Sequence, residues 1–76
     1  MISLNQDNFT KSQVGALHEC IDLCRNGYVQ VFEYYGDKWW CLKYRHLTNG
    51  RTLVVHVYES GYIIKEGRKI LKTTLV

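Results

Sequence analysis

The chain has 76 residues, 46% of them apolar and 13% aromatic, with a formal net charge of +3. That length holds a single domain, and the apolar content together with the absence of proline excludes a linker or a disordered segment. The pI of ≈ 8.8 falls short of the value above about 9 typical of dedicated nucleic-acid domains, though it permits such a partner.

The opening "MISLNQDNF" has neither the basic nor the apolar region of a signal peptide. No apolar run is long enough to span a bilayer, so no membrane role is expected. Asn8-Phe9-Thr10 matches a glycosylation sequon, which is read as chance without a secretion signal. Three cysteines, an odd number, point to reduced thiols and a cytoplasmic location.

Taken in chain order, Ile2 and Leu4 suggest a short edge strand. A helix follows over residues 10–25. Thr10 and Gln13 have capping-box spacing, in which the hydroxyl accepts from the backbone three residues on and the amide side chain reaches back. Val14, Leu17, Ile21 and Cys24 recur at helical spacing as one apolar stripe, with Cys20 at its edge. Arg25 suits the negative end of the helix dipole, and Asn26-Gly27 supplies the stop.

After Gly27 the period changes to that of strands: "YVQVFEYY", "KWWCLKYRHL", "TLVVHVYE" and "RKILKTTLV", punctuated by "GD", "TNGR", "SG" and "EG". The expected fold is α+β, one N-terminal helix packed on a four- or five-stranded antiparallel meander. With Asn49-Gly50 as a two-residue loop, Tyr44 opposes Val55, Leu42 opposes Val57 and Lys43 opposes His56. With Gly36-Asp37 as another, Val31 opposes Leu42 and Tyr34 opposes Trp39.

Opposed residues share a face. One face therefore collects Val29, Val31, Leu42, Tyr44, Leu53, Val55 and Val57, with Trp40 and His46 toward its ends, and seats the helix. The other collects Tyr28, Gln30, Phe32, Tyr34, Trp39, Cys41, Lys43, Arg45, Val54, His56 and Tyr58. A single helix leaves nothing to cover this second face. A loop one residue longer or shorter at Gly36-Asp37 would flip the first strand.

An uncovered face with five aromatics, three basic or imidazole side chains and no acid is a candidate docking surface. The expected binding residues are Tyr28, Phe32, Tyr34, Trp39, Lys43, Arg45, His56 and Tyr58. The leading reading is a small non-catalytic module that docks onto an acidic protein surface. In size and architecture the chain resembles accessory proteins of phages and mobile elements that act by occluding a host protein. No residue carries that likeness.

Three alternatives use the same face. It could stack single-stranded nucleic acid, although no "GFGF"-type signature is present. It could pair with itself in a homodimer, or residues 68–76 could fold back over it. No metal is expected, because Cys20 and Cys24 are spaced CxxxC within a helix and lack converging ligands. No cofactor is expected either, because the glycines sit singly and form no phosphate-cradling loop. Cys41 and His56 could act as thiol and base, but no orienting acid accompanies them. A two-layer domain of this size has little room for a pocket of about 300 Å³.

Overall fold

The computed structural model describes residues 10–75. The expected edge strand at Ile2 and Leu4 and the sequon at Asn8 lie outside the described residues. Helix α1 spans Lys11–Arg25. Strands β1 (Tyr28–Tyr35), β2 (Trp39–His46), β3 (Thr52–Tyr58), β4 (Gly61–Glu66) and β5 (Lys69–Thr73) follow. They form one antiparallel meander in chain order, an α+β fold with the helix at the N-terminal end. No helix among the described residues is long and apolar enough to cross a membrane.

The helix begins where its capping box sets it. Gln13 N–H donates to Thr10 Oγ1 at 3.2 Å, and Thr10 N–H donates to Gln13 Oε1 at 3.0 Å. Two amides otherwise left open at the helix start are satisfied together. At the other end Gly27 adopts φ +93, and a Cβ there would meet His46 Nε2 at 2.9 Å. Only glycine both turns left-handed and leaves room for that imidazole.

His46 joins three segments at this corner. Its Nδ1 accepts from the backbone N–H groups of Thr48 (3.2 Å) and Asn49 (3.3 Å). That leaves the ring proton on Nε2, which donates to the Asn26 carbonyl at 3.1 Å. Leu47 N–H donates to the Gly27 carbonyl at 2.9 Å. Helix end, β2 and the following loop are thereby fixed together.

Both early hairpins differ from the expected two-residue loops by a register step of two. In the β2–β3 hairpin Leu42 opposes Val55 and Tyr44 opposes Leu53, with residues 47–50 outside the ladder. The β1–β2 hairpin closes at Tyr35–Trp40. A shift of two preserves the faces, because side chains alternate with period two. The faces change instead at a bulge between Gln30 and Phe32. Below it Tyr28 opposes His46 and Gln30 opposes Tyr44, so both stand on the helix side. Val29, expected inside, opposes Arg45 and is 39% exposed, and Val31 is 48% exposed.

The core lies between α1 and the middle strands. Leu42, Val55 and Val57 are fully buried, surrounded by Trp40, Tyr44, Leu53, Tyr62 and Ile64. The helix is rotated from the expected stripe. It turns Ala16 and Cys20 into the core, while Ile21 is 50% exposed and Cys24 is exposed. Gly15 faces the same layer, where a Cβ would make ordinary contact with the Tyr62 ring at 3.6 Å. Small residues at this contact let the helix axis sit low on the sheet.

Leu42→Ala should destabilise the fold by about 2–5 kcal/mol through lost burial and a residual cavity. Thr10→Ala should cost about 1 kcal/mol through the lost cap. Val31→Thr should change stability by less than about 0.5 kcal/mol, as an exposed position does. Urea denaturation of the three variants measures the order.

Candidate docking face

The register places one set of side chains on the sheet face away from α1. Trp39 opposes Tyr58; Tyr34, Cys41, His56, Ile63 and Thr73 form the next row. Phe32, Lys43, Val54, Lys65 and Ile70 form the row after it, and Val29, Arg45 and Thr52 the last. Among the described residues no carboxylate occupies a position in these rows, whereas Lys43, Arg45 and Lys65 do.

Of the eight residues expected here, Phe32, Tyr34, Trp39, Lys43, Arg45, His56 and Tyr58 share this face. Tyr28 does not. Because the bulge reverses the start of β1, Tyr28 stands on the helix side, edge-on to the His46 ring at 4.8 Å and packed against the core. Gln30, also expected outward, accepts there from the Tyr44 hydroxyl at 3.0 Å. Val29 takes the outward place. Ile63, Lys65 and Ile70 complete the face from β4 and β5; extending the meander register through "SG" and "EG" would have found them.

The aromatic end is a packed cluster. Tyr34 and Trp39 lie 5.1 Å apart at 43°, and Trp39 and His56 lie 6.2 Å apart. Cys41 lies among them in the ladder and is 93% buried despite facing outward, at 7% exposure. Tyr34 leans back across the hairpin, where a Cβ on Gly36 would meet its Cε2 at 2.7 Å. Lys43 Nζ sits 5.3 Å from the Phe32 ring centroid, a cation–π contact. Phe32, Tyr34 and Trp39 remain 48, 46 and 40% exposed. Residues 69–73 do not cover them, for they add to the sheet as the edge strand β5.

Cys41 and His56 are direct cross-strand partners. His56 Nδ1 is buried without a hydrogen-bond partner. Burial holds the imidazole below its ordinary pKa of 6.5, and Lys65 and Lys43 add to the effect. Across the sheet, burial raises the Cys20 thiol pKa and keeps that group protonated. No group of three or more His, Cys, Asp or Glu able to hold a metal ion occurs among the described residues.

The helix side carries a feature that the sequence did not suggest, a groove of ≈ 530 Å³ lined by Leu17, Cys20, Ile21, Cys24, Arg25 and Tyr44. It lies along one flank of α1, over Tyr44 of β2, while from the helix Glu19 reaches Lys72 of β5 at 2.8 Å. Comparison with known proteins returns no matching family model, curated protein or solved structure.

The His56 pKa is lower in the folded chain than in the unfolded one, so the unfolded chain binds more protons below pH 6.5. Stability contributed by neutral His56 is therefore present above that pH and is lost as pH falls through it. The urea midpoint should drop between pH 7.5 and pH 5.5, values chosen to bracket an ordinary histidine at about 6.5, and should drop less in His56→Gln. An equal drop in both proteins would remove His56 from the account.

Proposed function

We propose that this protein is a small non-catalytic binding module that docks its aromatic and basic sheet face onto an acidic protein surface. It would act by occluding what it covers, as accessory or inhibitor proteins of the phage type do. The observation that carries the reading is the face itself: Phe32, Tyr34 and Trp39 half exposed beside Lys43, Arg45 and Lys65, with no carboxylate among the described residues there. Buried aromatic anchors with arginine at the centre and depleted acids are the composition of protein interfaces. The uniform sign of the charge selects a partner of the opposite sign.

Single-stranded nucleic acid is the second reading, favoured by the same aromatics and cations. Two features weigh toward protein. Tyr34 and Trp39 pack against each other at 43°, instead of standing apart as platforms for successive bases. Three cations give a short phosphate track, and the salt slope of such binding would be only roughly −2 to −3.

Trp39→Ala and Arg45→Ala should each weaken partner binding by about 2 kcal/mol, roughly thirtyfold, while the fold persists. The test immobilises wild type and both variants in parallel and compares the proteins each retains from source-cell extract. A partner held by wild type and lost from both variants supports the reading; equal retention by all three overturns it. Fluorescence quenching by single-stranded oligonucleotides, weakening in salt with about the slope that three cations give and absent in Trp39→Phe, would hand the face to nucleic acid instead.

A further inference from the structure

We propose that the outer edge of β1, which no strand pairs among the described residues, is a self-association edge, where a second copy of this chain adds antiparallel to continue the sheet across both molecules. This is separate from the docking face and does not depend on it.

The two outer strands are built differently. β5 is five residues long, carries Lys69 and Lys72, and has Lys72 held by Glu19 of the helix. Short strands and lysines are the usual means of blocking edge pairing. β1 is eight residues long, "YVQVFEYY", without lysine, arginine or proline. It leaves Val29, Val31, Phe32 and Tyr34 exposed. On the helix side the groove is walled by Leu17, Ile21 and Cys24 and floored by Tyr44 of β2, the strand next to β1. Apolar surface thus flanks the β1 edge on the open face of the sheet.

Charge names the occupant. Glu33 is the one charged side chain of β1; it accepts from Gln30 Nε2 at 2.6 Å and from the Tyr35 hydroxyl at 3.2 Å, and no cation pairs with it among the described residues. Arg25 lines the groove at the helix end that leads into β1, and it too has no ion partner among them. A two-fold axis through the middle of β1 brings each Arg25 toward Glu33 of the other copy, so one contact is made twice.

The bulge at Val31 fits this axis because it sits at the strand's midpoint. Tyr28 then opposes Tyr35 of the second copy, Val29 opposes Tyr34 and Gln30 opposes Glu33, and every such pair shares a face in the observed register. Stacking two open faces would instead set Lys43, Arg45 and Lys65 of one copy against the same cations of the other.

Sedimentation equilibrium of the full chain from about 5 to about 500 µM, bracketing micromolar dissociation constants, should show a mass rising toward the dimer. Val31→Lys should weaken association at least about tenfold with unchanged circular dichroism, as lysine on an edge does. Arg25→Glu and Glu33→Arg should each weaken it, and the double variant should recover it, a rescue that a merely structural role would not produce. Trp39→Ala should leave the dimer intact. A monomer at all concentrations overturns the proposal, as does a dimer indifferent to Val31→Lys or one abolished by Trp39→Ala.

Discussion

One helix over five strands is the constraint from which the other features follow. A helix with its side chains is about 10–12 Å across, whereas five strands at about 4.8 Å spacing span roughly twice that. α1 can therefore cover one face of the sheet, and only part of it. It packs on β1, β3 and β4, with Ala16 and Cys20 buried, Gly15 in contact range of Tyr62, and Glu19 paired with Lys72. Among the described residues much of the exposed apolar surface lies off that footprint, on the opposite face and along β1, with Ile21, Leu47 and Leu71 exposed elsewhere.

The helix footprint also explains β1. Neither phase of "YVQVFEYY" gives a clean apolar side. One would bury Val29 and Val31 with Glu33, the other Phe32 and Tyr34 with Gln30. The bulge takes neither. It gives the helix side Tyr28, Gln30, Glu33 and Tyr35, and the two polar residues satisfy each other and the Tyr44 hydroxyl. The Glu33 carboxylate and burial together push the Tyr35 pKa up to about 12, with burial the larger effect. At the edge of the sheet Gln30 and Glu33 stay exposed, while Tyr28 and Tyr35 pack against the core.

Elements set by local chemistry were legible in the sequence: the Thr10–Gln13 box, the Gly27 stop, and turns near Asn49-Gly50, Ser60 and Gly67, although Gly61 itself opens β4. The faces of β2 and β3 were legible too, since an error of two in register leaves them unchanged. Three things were not. The bulge has no glycine or proline to mark it, and it moved Tyr28 off the face. The rotation of the helix depends on Ala16 and Cys20, small residues whose burial follows from close packing rather than from a hydrophobic stripe. The groove depends on where the helix lies across the sheet, a tertiary outcome that periodicity does not encode.

A chain of this length can bury little, and among the described residues only Leu42, Val55 and Val57 of the large side chains are wholly enclosed. In that setting, local choices that do not serve the fold stand out. Threonine or lysine at Phe32, Tyr34 and Trp39 would suit a solvated strand and add no apolar patch. Their presence beside three cations, with the carboxylates of the described residues confined to the helix, the loops and the other face, is hard to assign to stability. His56 points the same way: an imidazole set between Lys43 and Lys65 with one nitrogen unpartnered disfavours its own charge. An approaching carboxylate would reverse the local field, so the same arrangement that strains the free face suits an occupied one.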